Sequence, residues 1–254
     1  MAAPGSNMRS LDRAFDVLAV LQAAKQPIRL SELARSSGLH IATAQRIVNV
    51  LLDRGYAART ADGYTAGPAA LAVAHAFMVS NPISVLSQTT LQQLAASTGY
   101  TASIYVRVEN SRVLIGRVES ENPLSYALPV GERLPLHLGG AGKVILAEMS
   151  PDDLREALPE GDTIKLASGT VITRAELLNQ LEKIRAEGHA VSISERNYGI
   201  ASVAAPVRAA DGKVAAVIGV TGPADTLTDS QISRLITEVR RAATTLGARI
   251  PVTG

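Results

Sequence analysis

Apolar residues recur at helical spacing in three successive segments of the first third of the chain. Residues 11–24 form the first segment, and its apolar stripe consists of Leu11, Ala14, Phe15, Leu18 and Leu21. In the second segment Ser31 can cap a short helix, and Gly38 can end it because glycine readily adopts the left-handed conformation. The third segment predicts a helix with one buried face, made of Ala44, Ile47, Val48, Leu51 and Leu52.

A short hairpin follows these helices. Gly55 ends the third helix, and residues 56–59 and 64–65 read as strands on either side of Asp62-Gly63, a dipeptide typical of tight turns. We expect residues 28–30 to add a third short strand. Any helical hairpin has an apolar and a polar face, but the added strand hairpin is typical of a winged helix-turn-helix that binds DNA.

The polar face of the third helix is the predicted DNA-reading surface. Gln45, Arg46 and Asn49 lie opposite the apolar face, with Ala42 between them and Thr43 beside them. Their side chains can donate or accept hydrogen bonds toward base edges or phosphates. With the cations of the neighbouring segments, the predicted DNA contacts are Arg35, His40, Thr43, Gln45, Arg46, Asn49 and Arg59.

A helix of small apolar residues connects this module to the rest of the chain. Gly67-Pro68 opens the helix and Asn81-Pro82 breaks it. Its apolar residues can pack against a second copy of the chain, and they include Leu71, Ala72, Val73 and Phe77. The sequence therefore predicts a dimerisation element between the two parts of the protein.

Strands and helices are mixed beyond residue 82. The predicted strands are residues 101–108, 112–118, 124–130, 190–194, 200–207 and 214–221. Five predicted helices flank the strands: two cover residues 83–97 and 140–148, one begins at 151, one ends at 188 and one begins at 228. The last two open with the capping boxes Thr173/Glu176 and Thr228/Gln231. The predicted fold is α+β: a winged helix-turn-helix DNA-binding domain (1–66), a connecting helix (67–82) and an antiparallel-sheet domain (83–254).

Composition limits the classes of function. The 254 residues are 46% hydrophobic, enough for two cores, and contain no cysteine, which excludes disulfides and thiolate metal sites. No apolar run approaches the roughly 18 residues of a membrane span, so we expect a cytoplasmic protein.

Residues 1–65 hold 8 basic and 5 acidic residues, whereas the remainder holds 17 basic and 18 acidic residues, so the positive excess lies with the predicted DNA-binding module. With only 3% aromatic residues for stacking on bases, duplex DNA is the better predicted partner.

The segment Gly139-Gly-Ala-Gly-Lys143 suggests a phosphate loop but lacks two of its defining residues. His137 stands in place of the first glycine, and Val144 in place of the hydroxyl that would bind magnesium. The glycine amides can instead bind a carboxylate at a helix start, or the segment is a tight turn with a solvated Lys143; the sequence leaves both readings open. The histidines lack metal-ligand spacing, no nucleophile motif is present, and we expect no metal, cofactor or catalytic residue.

Four motifs resemble the IclR family of bacterial transcriptional regulators. They are SLDRAFDVL at 10–18, LSELARSSGL at 30–39, LPLHLGGAGK at 134–143 and GIASVAAPV at 199–207. The resemblance implies a sensor domain similar to GAF and PAS domains that binds a small effector. It also implies homodimers that pair into dimers of dimers on a palindromic operator. Without it, the sequence also allows an enzyme or metabolite-binding protein whose N-terminal module mediates only protein contacts.

The resemblance also assigns residues. Thr43, Gln45 and Arg46 match the family's recognition helix, whereas His40-Ile41-Ala42 stands where the family commonly has Pro-Lys-Ser. The implied effector-binding residues are Tyr126, Leu134, Gly140, Ala141, Ser192, Ile200, Ser202, Gly219 and Thr221. Relatives that bind small acids have Asp, Cys, Ser and Ser where this chain has Ser192, Ser202, Gly219 and Thr221. That difference argues against a glyoxylate-like or pyruvate-like effector, and Tyr126 favours an aromatic or larger one.

Overall fold

The computed structural model describes residues 8–120 and 128–251 and divides into two compact units, Met1–Val79 and Ser80–Gly254. The elements of the first unit are α1 (Arg9–Ala23), α2 (Leu30–Ser36), α3 (Ile41–Asp53), β1 (Ala57–Arg59), β2 (Tyr64–Ala66) and α4 (Ala69–Ser80). The antiparallel pair of β1 and β2 forms the wing. The predicted winged helix-turn-helix order is therefore confirmed.

The core of the first unit lies between its three leading helices and the wing. The predicted apolar face of α3 packs inward, with Ala44, Val48 and Leu51 buried and Ile47 and Leu52 half-buried. Gly38 and Gly55 adopt positive φ angles of 66° and 72° and end α2 and α3 as expected. These local signals fix the orientation of the opposite, polar face of α3.

Three predictions for this unit were wrong in detail. In α1 the buried residues are Val17 and Leu21, whereas Phe15 is 60% exposed, because the helix carries two overlapping apolar stripes and only one meets α2 and α3. Ser31 does not cap α2, which already begins at Leu30 without a side-chain cap. Only Ile28 of the predicted third strand pairs with the wing, as an isolated bridge to Tyr64.

Helix α4 has no buried residue although most of its residues are apolar. Leu71 is 72% exposed, and Val73, Phe77 and Val79 are exposed as well. No single helix in the described ranges is long and apolar enough to cross a membrane.

The second unit is built on a six-stranded antiparallel sheet of order β5-β4-β3-β10-β9-β8. Its elements are α5 (Pro82–Thr98), β3 (Thr101–Val108), β4 (Ser111–Val118), β5 (Arg133–Pro135), α6 (Gly140–Ala147), α7 (Pro151–Ala157), β6 (Thr163–Lys165), β7 (Val171–Thr173), α8 (Arg174–Glu187), β8 (Ala190–Ile193), β9 (Ile200–Arg208), β10 (Val214–Pro223), a short 3-10 helix (Ala224–Thr226) and α9 (Asp229–Gly247). The predicted α+β class with an antiparallel sheet is confirmed.

The sheet separates two hydrophobic cores. One lies under α6 and α8 and includes Ala204 and Val217, and the other lies under α5 and α9 and includes Val203 and Ile218. Neighbouring strand residues thus belong to opposite cores, as the alternation of side chains along a strand requires. Both predicted capping boxes are present, at the starts of α8 and α9.

The predicted strand over 124–130 is not present in residues 128–130, the part of it that the structure describes. Residues 124–127 lie outside the described residues, and 128–130 lead into a turn in which the Glu132 amide donates to the Pro129 carbonyl. The strand that pairs with β4 comes later, as β5. Pro129 lacks the amide hydrogen of a ladder residue, and Gly131 reverses the chain with a φ of 93°.

Candidate functional site

The polar face of α3 presents the predicted DNA-contacting residues. Arg46 and Asn49 are exposed, and Thr43 and Gln45 are half-buried beside them. The side-chain amide of Gln45 donates to Oδ1 of Asn49 over 2.8 Å, one helical turn away. This bond holds two side chains with base-reading chemistry in a fixed relation on the helix surface.

Three further predicted residues lie on neighbouring elements. His40 is the residue preceding α3 and makes no side-chain cap, Arg35 lies in the last turn of α2, and Arg59 ends strand β1 of the wing. All three are exposed. In residues 8–120 and 128–251 no carboxylate forms an ion pair with Arg35, Arg46 or Arg59.

Sequence reasoning missed one cation near this surface. A groove between α1 and α3 is lined by Thr43, Arg46 and the exposed Arg13 of α1. The signal in the sequence was that Arg13 lies off the predicted apolar stripe of α1. Arg13 extends the positive surface of α3 onto α1.

In the second unit a pocket opens between the start of α6, strands β8 to β10 and the β8–β9 loop. Its volume is about 50 Å³. Seven of the predicted effector-binding residues line it: Gly140, Ala141, Ser192, Ile200, Ser202, Gly219 and Thr221. Leu134 does not; it is buried in the core and pairs with Arg112 across β4 and β5. Tyr126 lies outside the described residues.

The register of the sheet builds the polar wall of this pocket. Ser192 is paired with Ser202, and Ser202 with Thr221, so three hydroxyls form a row across β8, β9 and β10. At Gly219 a side chain would collide with the β9 backbone. A Cβ on Gly140 would lie 3.2 Å from Oγ of Ser202, so the start of α6 approaches the hydroxyl row closely.

A buried ion pair joins the start of α6 to the β8–β9 loop. Nζ of Lys143 contacts Oε1 of Glu195, and it donates to Oε1 of Gln180 over 3.1 Å. The amide of Gly139 donates to Oε2 of Glu195 over 3.0 Å. The expectation of a solvated Lys143 was wrong, because this turn of α6 packs inward and Glu195 offsets the ammonium charge.

Arg112 is a second buried cation that sequence reasoning did not single out. It is 3% exposed on β4 and lines the pocket, and its guanidinium lies 5.6 Å from the centre of the Tyr105 ring. Nη1 donates to the Pro135 carbonyl. The one available signal was a charged residue two positions before Leu114, on the side of the strand that faces the core.

Burial decides the electrostatics around Arg112. Burial has the largest effect on the pKa of Arg112 and lowers it. The charge of Tyr105 raises this pKa, that of Arg196 lowers it and that of Glu195 raises it, and the resulting pKa is about 10. Burial, followed by the charge of Arg112, lowers the pKa of His137 below its ordinary value. At neutral pH Arg112 therefore remains charged beside the pocket.

The glycines after Leu138 have a packing role. A Cβ on Gly142 would collide with the Leu136 carbonyl and with Nη1 of Arg112. Among the described residues, no group of three His, Asp or Glu side chains is placed to hold a metal ion.

Comparison with known proteins agrees with both units. Residues 10–61 match the family model described as the IclR helix-turn-helix domain, and residues 75–248 match the one described as the bacterial transcriptional regulator IclR C-terminal. The second match alone covers more than half of the chain.

Curated relatives match over nearly the whole chain. The chain is 30% identical to the HTH-type transcriptional regulator BhcR of Paracoccus denitrificans over 244 residues, which cover 95% of this chain and 87% of the relative. It is 27% identical to the Pca regulon regulatory protein of Pseudomonas putida, with 93% and 81% covered. Both relatives are named as regulators, and neither is named as an enzyme.

Solved structures share the fold. An IclR transcriptional regulator from Alicyclobacillus acidocaldarius is 25% identical with a TM-score of 0.83, covering 95% of this chain and 98% of that one. An IclR homologue from Microbacterium hydrocarbonoxydans, solved with 4-hydroxybenzoate, is 20% identical with a TM-score of 0.77, covering 94% and 98%. The chain belongs to the IclR family of bacterial transcriptional regulators, DNA-binding proteins whose C-terminal domain binds an effector.

Proposed function

We propose that the protein reads a duplex operator with α3 and the wing, and that a small molecule in the sheet pocket changes this binding. The observation that carries the DNA part is the exposed face of α3, where Arg46, Gln45 and Asn49 lie together. Arg46, Arg35 and Arg59 have no carboxylate partner in the described part of the chain and supply charge for phosphates. We expect Thr43 and His40 to contact the backbone at the start of the helix.

We further propose that the protein acts as a homodimer, assembled as a dimer of dimers, on a palindromic operator. The exposed apolar surface of α4 supports this, because a helix with this composition and no buried residue needs a partner. Two recognition helices related by a twofold axis would read two halves of a palindrome. Because the proposed target is operator DNA, we also propose that the protein acts in the cytoplasm.

We propose that the effector is a small organic molecule with an aromatic ring, held by the hydroxyl row and the start of α6. The 4-hydroxybenzoate found with the Microbacterium hydrocarbonoxydans homologue supports an aromatic ligand. The pocket of about 50 Å³ is smaller than the roughly 300 Å³ of the smaller drug-sized sites, so a ring would have to widen it.

Selection from a random duplex library tests the operator proposal. The full-length protein should enrich one sequence with two inverted half-sites. Its affinity for that duplex should fall linearly with salt on a logarithmic scale, because phosphate contacts release counterions. Failure to enrich any sequence, or an affinity independent of salt, would contradict it.

A further inference from the structure

An exposed isoleucine begins helix α3. Ile41 is the first residue of this helix, and 55% of its surface is exposed. Leu39, two residues earlier, already packs against the core of the first unit. A single exposed apolar side chain is ordinary on a protein surface and needs no explanation by itself. What distinguishes Ile41 is the set of side chains beside it on the helix.

Ile41 extends the row of base-reading side chains to the start of α3. Ile41, Gln45 and Asn49 follow one another at intervals of four residues, so they lie along one side of the helix. The side-chain amides of Gln45 and Asn49 are joined by a hydrogen bond. His40, which precedes α3, is exposed and makes no side-chain cap. The row therefore presents two amides and, at the helix start, one aliphatic group.

The start of α3 is where base contacts are expected. In helix-turn-helix proteins the N-terminal residues of the second helix of the motif contact base edges in the major groove, and α3 is that helix here. The base edges in this groove carry hydrogen-bond donors and acceptors, and thymine adds an apolar C5-methyl group. An aliphatic side chain has no donor or acceptor of its own. The position and the chemistry of Ile41 together favour a thymine.

We propose that Ile41 contacts the C5-methyl group of one thymine in each half of the operator. The isoleucine side chain is stiff at χ1, so fixing it against the base costs little conformational entropy. Against a base that lacks this methyl group, Ile41 would cover a polar edge and leave its donors or acceptors without partners. Ile41 is thereby a specificity-determining residue, and this inference rests on the proposed reading of a duplex operator by α3.

Replacement of thymine by deoxyuridine tests the proposal, because it removes the methyl group and keeps every hydrogen-bonding group of the base. The duplex is the one that the full-length protein enriches from a random library, and its thymines are replaced one symmetric pair at a time. One replacement should weaken binding by about 4-fold for each half-site, the factor that corresponds to burying one methyl group. Fluorescence anisotropy at constant salt measures these affinities.

Ile41→Ala should abolish the effect of that replacement, because the shorter side chain does not reach the methyl group. Val50→Ala is the matched control, since Val50 is also a β-branched residue of α3 and is 52% exposed. This control should keep the full dependence on the methyl group. Both positions are more than half exposed, so both variants should melt as the unaltered protein does. If Ile41→Ala fails to fold, Ile41→Val should show a reduced dependence in its place.

Two results would overturn the proposal. In the first, no replacement of thymine by deoxyuridine weakens binding by the unaltered protein. In the second, a dependence on the methyl group persists in full in folded Ile41→Ala, which would assign the contact to another side chain.

The same titrations separate this failure from that of the proposed function. If one duplex is enriched and its binding depends on salt while every thymine methyl group is dispensable, the operator proposal stands and the assignment of Ile41 fails. If no sequence is enriched, the proposed reading of an operator fails, and the role of Ile41 fails with it.

Discussion

Lys143 and Glu195 form an ion pair at the edge of the pocket, with side chains only 5% and 12% exposed. The pair links α6 to the β8–β9 loop, and the Gly139 amide binds the same carboxylate. A ligand seated against Gly140 would therefore contact a helix start whose position is set by this pair. The ion pair thus holds the start of α6 against the β8–β9 loop at one side of the pocket.

Breaking this ion pair should destabilise the protein strongly. Lys143→Met leaves Glu195 buried without its cation, and we expect a loss of about 3–5 kcal/mol in the free energy of unfolding. Adding Glu195→Gln should recover part of the loss, because the buried charge is then gone. Urea unfolding measures both.

The control for that prediction is Arg155→Met, which removes an exposed ion pair with Asp152. It should cost less than about 1 kcal/mol. Equal losses for Lys143→Met and Arg155→Met would contradict a buried, structural role for Lys143.

Arg46→Ala should weaken operator binding while leaving the fold intact. Arg46 is exposed on the polar face of α3, so its truncation removes a DNA contact and no core packing. We expect a loss of about 1–3 kcal/mol in binding free energy by anisotropy titration. Arg54→Ala, at the residue that follows the last turn of the same helix, is the control. A normal affinity for Arg46→Ala would remove this residue from the reading surface.

Gly140→Val should abolish the response to effector without impairing DNA binding. A Cβ at this position already lies 3.2 Å from Ser202 Oγ and 3.3 Å from the Ala190 carbonyl, and valine adds two methyl groups. Thermal shift with ligand and operator titration report the two properties separately. Ala186→Val on the exposed face of α8 should respond normally. A ligand-induced shift in Gly140→Val equal to that of the unaltered protein would argue against this pocket.

A charge on α4 should disrupt assembly. Leu71→Glu places a carboxylate on the apolar surface that we propose as the dimer contact, and sedimentation velocity should show a smaller species. Leu178→Glu, at an exposed leucine of α8, should leave the assembly unchanged. If Leu71→Glu sediments as the unaltered protein does, α4 is not the dimer contact.

The two capping boxes should differ in their response to acid. The pKa of Glu176 is lowered by the hydrogen bond from the Thr173 amide and then by that from its hydroxyl. A carboxyl group with a lowered pKa contributes stability that is present above its ordinary value of 4.5 and is lost as the pH falls through the folded value. Glu176→Gln should remove this part of the acid sensitivity in urea unfolding, whereas the other box already has the neutral Gln231. Identical acid profiles for Glu176→Gln and the unaltered protein would contradict the contribution.

The parts of the fold that local signals encode could be predicted from the sequence. The helix caps at Thr173 and Thr228, the glycine ends of α2 and α3, and the Asp62-Gly63 turn each depend on a few consecutive residues. The predicted buried face of α1 was wrong because Leu11 and Phe15 are apolar but lie exposed, outside the core. Strands of three residues, such as β5, are too short to show a period.

The charged groups around the pocket could not be predicted for a different reason. Lys143 is buried because Glu195, 52 residues later, meets it. Arg112 is buried against the Pro135 carbonyl, 23 residues away. Such pairings follow from the sheet register and helix packing, which one sequence does not reveal. The hydroxyl row could be predicted only from the resemblance of the sequence to the IclR family.

The most direct test of the account measures operator affinity with and without a ligand that occupies the pocket. Linked binding should change the operator dissociation constant by roughly 5- to 150-fold at saturation, the usual range of coupling between two sites. The same titration with Gly140→Val should give no change. An operator affinity that is identical with and without bound ligand in the unaltered protein would contradict the account.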